Sequence, residues 1–314
     1  MALTVGVDVG GTKIAAGVVD EQGSLLKTLR RESPASDSEQ IKETIAELVL
    51  ELAAEHTVDA VGVGAAGFVD VGRSTVIFAP NLAWRDEPLK SELEQRLDLP
   101  VVIENDANAA AWGEFAFGAG ADVDDLLLVT VGTGIGGGLV LGGQLHRGTF
   151  GVAAEIGHFR VVPRGRPCRC GNLGCWEQYG SGSALVRDAR ERIVSGAPDT
   201  RFLLDLAAGD VHAISGPLIT QAAREGDPLA VDLLANLGRW LGEGIASLAA
   251  VLDPTVVVIG GGVADAGDLL LDPMNYYCNM NLTGRGYRPP LDIRPARLGN
   301  EAGMIGAADL ARHP

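Results

Sequence analysis

Positive charge is in short supply. Lys and Arg number 25 against 41 Asp and Glu, a formal net charge of −16 at pH 7 with His neutral. An acidic surface without a basic patch repels phosphate backbones and anionic membranes, which argues against nucleic acid or a membrane as partner. Cysteine is scarce too: four residues, three of them (Cys168, Cys170, Cys175) inside one short stretch. That spacing suits one metal better than a disulfide framework and points to a reducing cytoplasm. The opening Met1-Ala2-Leu3-Thr4-Val5-Gly6-Val7 has no basic region ahead of an apolar stretch and no small-residue cleavage site after one, so no secretory signal is expected. Uncharged runs long enough to span a bilayer are limited to Leu126 to Leu145, whose repeated glycines, with Thr130, Thr133 and Gln144, make it buried sheet and loop. Gly (43) and Pro (15) together stay under the roughly 25–30% of low-complexity chains. What is left is a chain of 314 residues, enough at roughly 150 per domain for two lobes with a sizeable core.

Leu3 to Val9, the break Gly10-Gly11-Thr12 and Ile14 to Val19 predict strand, tight turn, strand. Ser36-Asp37-Ser38-Glu39 fits a capping box, and Ile41, Ile45, Leu48, Val49 and Leu52 recur at helical spacing after it. Ala60 to Val63 and Val101 to Ile103 read as strands, and about Ala107 to Phe117 as a helix ending at Gly118. The acidic turn Asp122 to Asp125 is the expected lobe boundary. Beyond it, Leu126 to Val131, a glycine turn and Leu139 to Leu141 repeat the opening plan, as an internal duplication would. Asp227-Pro228 starts a long helix reaching about Leu252, and Thr255 to Ile259 is a strand ending in Gly260-Gly261-Gly262. A last helix, roughly Ala302 to Ala311, is expected to cross back to the first lobe.

Asp8-Val9-Gly10-Gly11-Thr12-Lys13 ends a strand with a carboxylate and offers glycine N–H groups that an anion can approach, although a plain hairpin turn has the same signature. It fails the P-loop pattern, which needs Gly-Lys-Ser/Thr opening a helix. Gly132-Thr133-Gly134-Ile135-Gly136-Gly137 satisfies G-x-G-x-x-G, but strand-like Leu139-Val140-Leu141 follows, so the dinucleotide-binding context is missing. Asn105-Asp106 sits where a buried strand passes into a helix: a place for chemistry in open α/β sheets, or an ordinary N-cap. Asn81, in Ala79-Pro80-Asn81-Leu82, reads equally well as a turn residue. Glu155-Ile156-Gly157-His158 and Cys168-Arg169-Cys170-Gly171-Asn172-Leu173-Gly174-Cys175 supply one imidazole and three thiols, a set that Zn²⁺ takes tetrahedrally. With four protein ligands such a zinc is structural, and it would hold the flanking Glu155 and Glu177 in place.

Together, Asp8 to Lys13, Asn105-Asp106, Gly132 to Gly138, Glu155 to His158 and Cys-x-Cys-Gly-x-x-Gly-Cys-x-Glu from Cys168 to Glu177 resemble the ROK family of sugar kinases and repressors. Within it, the pattern is similar to the ATP-dependent glucokinases of actinobacterial type. The resemblance implies an α/β, two-lobed actin/hexokinase/Hsp70-like fold (ribonuclease H-like, duplicated) with the active site in the cleft. The expected division is a small lobe, 1–120, completed by a C-terminal helix at about 300–314, and a large lobe, 121–299. By the same resemblance Asp106 is the general base, while Gly67, Asn81, Asn105, Glu155, His158 and Glu177 match sugar-binding positions. Gly10, Gly11, Thr12, Lys13, Thr133 and Gly134 match two phosphate loops, Asp8 acts on Mg²⁺ that accompanies ATP, and Gly260, Gly261 and Gly262 border the adenosine. His158, Cys168, Cys170 and Cys175 match the zinc ligands. Glucose and ATP are the implied ligands and a homodimer or homotetramer the implied assembly.

Two stretches depart from the family pattern. Gly62-Val63-Gly64-Ala65-Ala66-Gly67 lacks the proline many relatives carry before its last glycine, and Asn275 to Asn281 puts weak helix formers where relatives carry a charged amphipathic helix. Cys278 is expected to be a free thiol. Another hexose as acceptor and polyphosphate as donor remain open, whereas the seven residues before Asp8 leave no room for a repressor's helix-turn-helix.

Overall fold

The computed structural model describes residues 3–197 and 199–312, so Met1 and Ala2 of the N-terminal reading lie outside the described residues. In chain order the elements are β1 (Leu3–Val9), β2 (Lys13–Val19), β3 (Leu25–Glu32), α1 (Ser38–Ala53), β4 (Val58–Ala65), β5 (Phe68–Val69), β6 (Val76–Phe78), β7 (Arg85–Glu87), α2 (Leu89–Leu97), β8 (Val101–Asn105) and α3 (Asp106–Phe117). There follow β9 (Leu126–Val131), β10 (Ile135–Leu141), β11 (Gln144–Leu145), α4 (Glu177–Gly180), α5 (Gly182–Val194), α6 (Arg201–Leu206), α7 (Gly216–Arg224), α8 (Pro228–Leu252), β12 (Val256–Gly260), α9 (Asp268–Asn281), β13 (Asp292–Pro295) and α10 (Ala302–Arg312). Two five-stranded sheets run β3-β2-β1-β4-β8 and β11-β10-β9-β12-β13, the same plan used twice, and β5-β6-β7 form a small third sheet. In the first sheet β1 is antiparallel to β2 and parallel to β4, which is parallel to β8. The apolar window from Leu126 is therefore sheet, and no described helix is long and apolar enough to cross a membrane.

By packing, the chain divides into two compact units, residues 1–128, 137–154 and 296–314, and residues 129–136 and 155–295. Residues 121–128, which contain the acidic turn, and 137–154 beyond it thus go with the first unit. One reason is the close fit at Gly138, where an added Cβ would lie 2.4 Å from the Ala111 Cβ of α3.

In the first unit the central strands bury both faces. Val5, Val7 and Val9 of β1, with Val61 and Val63 of β4, meet the apolar stripe Ile41, Ile45, Leu48 and Leu52 of α1. The opposite face is set by what it lacks. A Cβ on Gly6 would lie 1.8 Å from the Met304 carbonyl oxygen and one on Gly62 1.7 Å from that of Ala307. On the other side of α10, a Cβ on Gly306 would lie 1.8 Å from the Ala109 oxygen of α3. Helix α10 is therefore packed backbone against backbone between the sheet and α3.

Two local readings shift. The cap of α1 is Asp37, not Ser36: its carboxylate accepts from the N–H groups of Glu39 and Gln40, both at 3.1 Å, and Glu39 turns to Arg96 and Lys42 instead of closing a capping box. One Asp satisfies two orphan donors and adds negative charge at the positive end of the helix. Asn275 to Asn281 is helical after all, as the C-terminal half of α9. Its partner decides this: Leu270, Met274 and Cys278 are buried, and Gly238 and Gly242 of α8 leave room for the α9 backbone, a Cβ on Gly242 lying 2.4 Å from the Met274 oxygen. Packing of that quality outweighs propensity differences of a few tenths of a kcal/mol per residue. Burial also pushes the free thiol of Cys278 up to about 11.

The packing of α10 predicts that Gly306→Ala lowers unfolding stability by at least ~2 kcal/mol in urea titrations, although Ala is the better helix former by about 1 kcal/mol. Gly216→Ala, with no atom within 4 Å of the added Cβ, is the control. Equal stability of the two variants would contradict the backbone contact.

Candidate active site

Within the first unit, the end of β8 and the start of α3 carry the Asn105-Asp106 pair. Asn105 is the N-cap of α3 and Asp106 its first residue. The amide of Asn105 is used on both sides: Oδ1 accepts from Asn108 N–H at 3.0 Å, while Nδ2 donates to Asp106 Oδ1 and to the Gly67 carbonyl, both at 3.0 Å. Cap and chemistry are thus not alternatives here, because one end of the side chain does each. Gly67 is needed as glycine, since a Cβ would lie 2.5 Å from the Phe78 oxygen. Even without the expected proline the loop is closed tightly, Gly67 N–H donating to the Ala65 carbonyl at 2.8 Å.

Asp8 lies near the end of β1, and Gly10 N–H donates to the Lys13 carbonyl at 3.0 Å to close the turn over Gly11 and Thr12. A Cβ on Gly11 would lie 3.3 Å from Asn81, so the turn and Asn81 are neighbours. A Cβ on Gly303, in the first turn of α10, would lie 3.7 Å from the Asp106 carbonyl oxygen and 3.9 Å from the Asp8 carboxyl carbon. Asp8 and Asp106 therefore border one space. Burial pushes the Asp8 carboxyl up and the Lys13 ammonium works against this, so a cation brought to Asp8 meets a carboxylate short of solvation. That donor chemistry fits a hydrated Mg²⁺.

Within the second unit, one ligand atom from each of His158, Cys168, Cys170 and Cys175 lies within 4.8 Å of the others. Cys170 Sγ and Cys175 Sγ are 3.6 Å apart, as are Cys168 Sγ and His158 Nδ1. These are the edges expected of a tetrahedron with metal–sulfur bonds of about 2.3 Å. Burial pushes the thiols of Cys168 and Cys175 up. At Cys170 burial also acts upward, but the Asn172 N–H and the neighbouring thiols outweigh it and the pKa falls. Three thiolates this close require a cation, so the donor set fits Zn²⁺. Glu177 adjoins the cluster, its Oε1 accepting from Cys168 Sγ at 3.1 Å. It also adjoins the glycine turn, because a Cβ on Gly134 would lie 2.7 Å from Glu177 Oε2. Glu155 is desolvated by burial, which raises its pKa against the pull of His158, and Glu177 raises it further.

The turn at Gly132 to Gly134 is tied to the start of α5, where Gly182 N–H donates to the Gly132 carbonyl at 2.8 Å. Beside it opens a cavity of about 1020 Å³, lined among others by Thr133, Ser183, Arg187, Thr220, Gly262 and Val263. Of the three-glycine run, Gly260 ends β12, and Gly261, at φ 84°, packs its Cα on β9, with the Val131 oxygen 2.5 Å from an added Cβ. Gly262 alone of the three lines the cavity. Ser183, Arg187 and Thr220 carry no sequence signal that would have singled them out. Glu104, buried under Asn105, carried one: a charged residue closing the apolar run Val101-Val102-Ile103.

The profile of the ROK family matches residues 4–313. A glucokinase of Streptomyces coelicolor is 52% identical over 314 residues, covering all of this chain and 99% of the relative. Among solved structures, a ROK family glucokinase from Streptomyces griseus in complex with glucose and AMPPNP is 53% identical and superposes with a TM-score of 0.91 over the whole of both chains. A ROK hexokinase from Thermus thermophilus, 37% identical, covers 99% of this chain and 98% of its own with a TM-score of 0.80. With a family match over nearly every residue, and the fold of the ROK glucokinases in both five-stranded sheets, the chain belongs to the ROK family.

Proposed function

We propose that this protein is a glucokinase, transferring the γ-phosphate of Mg-ATP to the 6-hydroxyl of glucose to give glucose 6-phosphate and ADP. The observation that carries the reading is the end-to-end likeness to the two Streptomyces glucokinases, one of them solved with glucose and AMPPNP. Phosphoryl transfer asks a protein for positioning and charge neutralisation more than for covalent chemistry. Asp106 accepts the proton of the attacking 6-hydroxyl, a role supported by its carboxylate being held at Oδ1 by Asn105. Gly67, Asn81, Asn105, Glu155, His158 and Glu177 receive the sugar, whose hydroxyls lose water on binding and are costly if left unpaired. Gly10 to Lys13 with Thr133 and Gly134 hold the phosphates, and the cavity beside Gly262 takes the adenosine. Asp8 holds Mg²⁺ through water; the bound ion supplies charge neutralisation at the phosphates.

His158, Cys168, Cys170 and Cys175 hold one Zn²⁺, which when bound fixes the loop carrying Glu177 and leaves no open position for catalysis. With Nδ1 toward the cluster, the His158 ring keeps Nε2 for a sugar hydroxyl. The assembly implied by the family, a homodimer or homotetramer, is part of the same proposal.

ADP release with Mg-ATP across glucose, mannose, fructose, N-acetylglucosamine and N-acetylmannosamine, with a no-sugar control, tests the reading. Strong preference for glucose is expected; turnover confined to another hexose would contradict the assignment of substrate, and turnover with polyphosphate alone that of donor. Asp106→Asn is expected to lower kcat by at least ~10²-fold while glucose binding and thermal stability persist, and full turnover in this variant would refute the base. Elemental analysis of chain purified without chelator is expected to give about one zinc per chain. Cys170→Ser should lose it and weaken glucose binding by ~10-fold or more, and a zinc-free chain with unaltered glucose affinity would contradict the coupling.

A further inference from the structure

Glu104, the next-to-last residue of β8, has a side chain only 2% exposed. A carboxylate so placed persists only where its charge is met, and an apolar residue of similar volume would often be as stable or more so. Its two oxygens have different company. Oε1 accepts from the backbone N–H of Asn105 at 3.0 Å and from Asn108 Nδ2 at 3.1 Å. Oε2 faces Arg73 Nε at 3.3 Å and Arg147 Nε at 3.7 Å, off the axis of an aligned hydrogen bond, so these contacts supply charge rather than direction. Burial pulls the pKa of Arg73 down and the Glu104 charge opposes this.

The two arginines come from separate segments. Arg73 lies in the loop between β5 and β6, whose carbonyl oxygen accepts from Ile103 N–H at 3.2 Å, and Arg147 follows β11. From this charged cluster the hydrogen bonds lead in one direction: Glu104 fixes the Asn105 peptide, and the Asn105 side chain holds Asp106 Oδ1.

We propose that Glu104, with Arg73 and Arg147 as its counterions, is a positioning residue for Asp106, fixing Asn105 so that its amide holds the Asp106 carboxylate in the orientation that accepts a proton. This rests on the reading of Asp106 as the general base. A small misplacement of such a group costs rate, up to about 10²-fold per ångström, and because Asn105 also receives the sugar in this reading, glucose affinity moves in the same direction by a smaller factor. The signature is therefore a fall in kcat that exceeds the loss of glucose affinity.

The test compares Glu104→Gln, Arg147→Met and Arg147→Lys with the parent chain, measuring kcat by ADP release, glucose Kd by calorimetry and Tm. Glu104→Gln should lower kcat by ~10-fold to 10²-fold with glucose Kd changed by less than about threefold. Arg147→Met should lower kcat several-fold and Arg147→Lys should recover most of it, which a space-filling role would not require. Parent-like kcat in folded Glu104→Gln, or equal loss of kcat and glucose affinity, would overturn the proposal. Should Glu104→Gln fail to fold, the Arg147 pair decides, and equal kcat in its Met, Lys and parent forms would overturn it. Asp106→Asn run alongside separates the two claims: its inactivity beside a parent-like Glu104→Gln removes the positioning role alone, whereas its full activity removes the base.

Discussion

The closest approaches of α10 to the first sheet and to α3 are made at glycines, backbone against backbone. Gly6 and Gly62 on the sheet face the carbonyls of Met304 and Ala307, and Gly113 of α3 faces that of Ala302, where an added Cβ would lie 2.5 Å from the oxygen. This contact fixes more than stability. It brings the first turn of α10 to the ends of β1 and β8, so that Gly303 adjoins both Asp8 and Asp106. A side chain at any of these glycines would push the helix away from the ends of β1 and β8.

A second constraint is electrostatic. The chain is strongly acidic overall, yet the carboxylates in and around the candidate site each have a local partner. Asp8 has Lys13, Glu104 has two arginines, and Glu177 lies against a thiol of the cysteine cluster. Glu177 also touches the Gly134 turn, so in the second unit the loop carrying the His158, Cys168, Cys170 and Cys175 cluster and the Gly132 to Gly134 turn share a wall.

Much of this was legible in the residues themselves. Apolar runs broken by glycine marked β1 and β2, helical apolar spacing marked α1, Asp227-Pro228 marked the start of α8, and the second hairpin at Val131 could be matched to the first by its glycines. The cysteine spacing marked the cluster, because thiols that dense have few other physical explanations. What stayed hidden depended on partners distant in sequence. Nothing in Asn275 to Asn281 discloses that Gly238 and Gly242 await it on α8. Ser36 and Asp37 are equally good caps until the chain's path selects one. Glu104 stands as a charge beside an apolar run, a signal the sequence reading passed over, and its meaning needs Arg73 and Arg147, which only the fold brings to it.

The central claim is a phosphoryl group delivered to one particular oxygen. ³¹P spectra of the products from Mg-ATP and glucose labelled with ¹³C at carbon 6 test it directly. The account predicts ADP and a phosphomonoester whose phosphorus couples to the labelled carbon. Inorganic phosphate as the sole new phosphorus product, or an ester without that coupling, would contradict it.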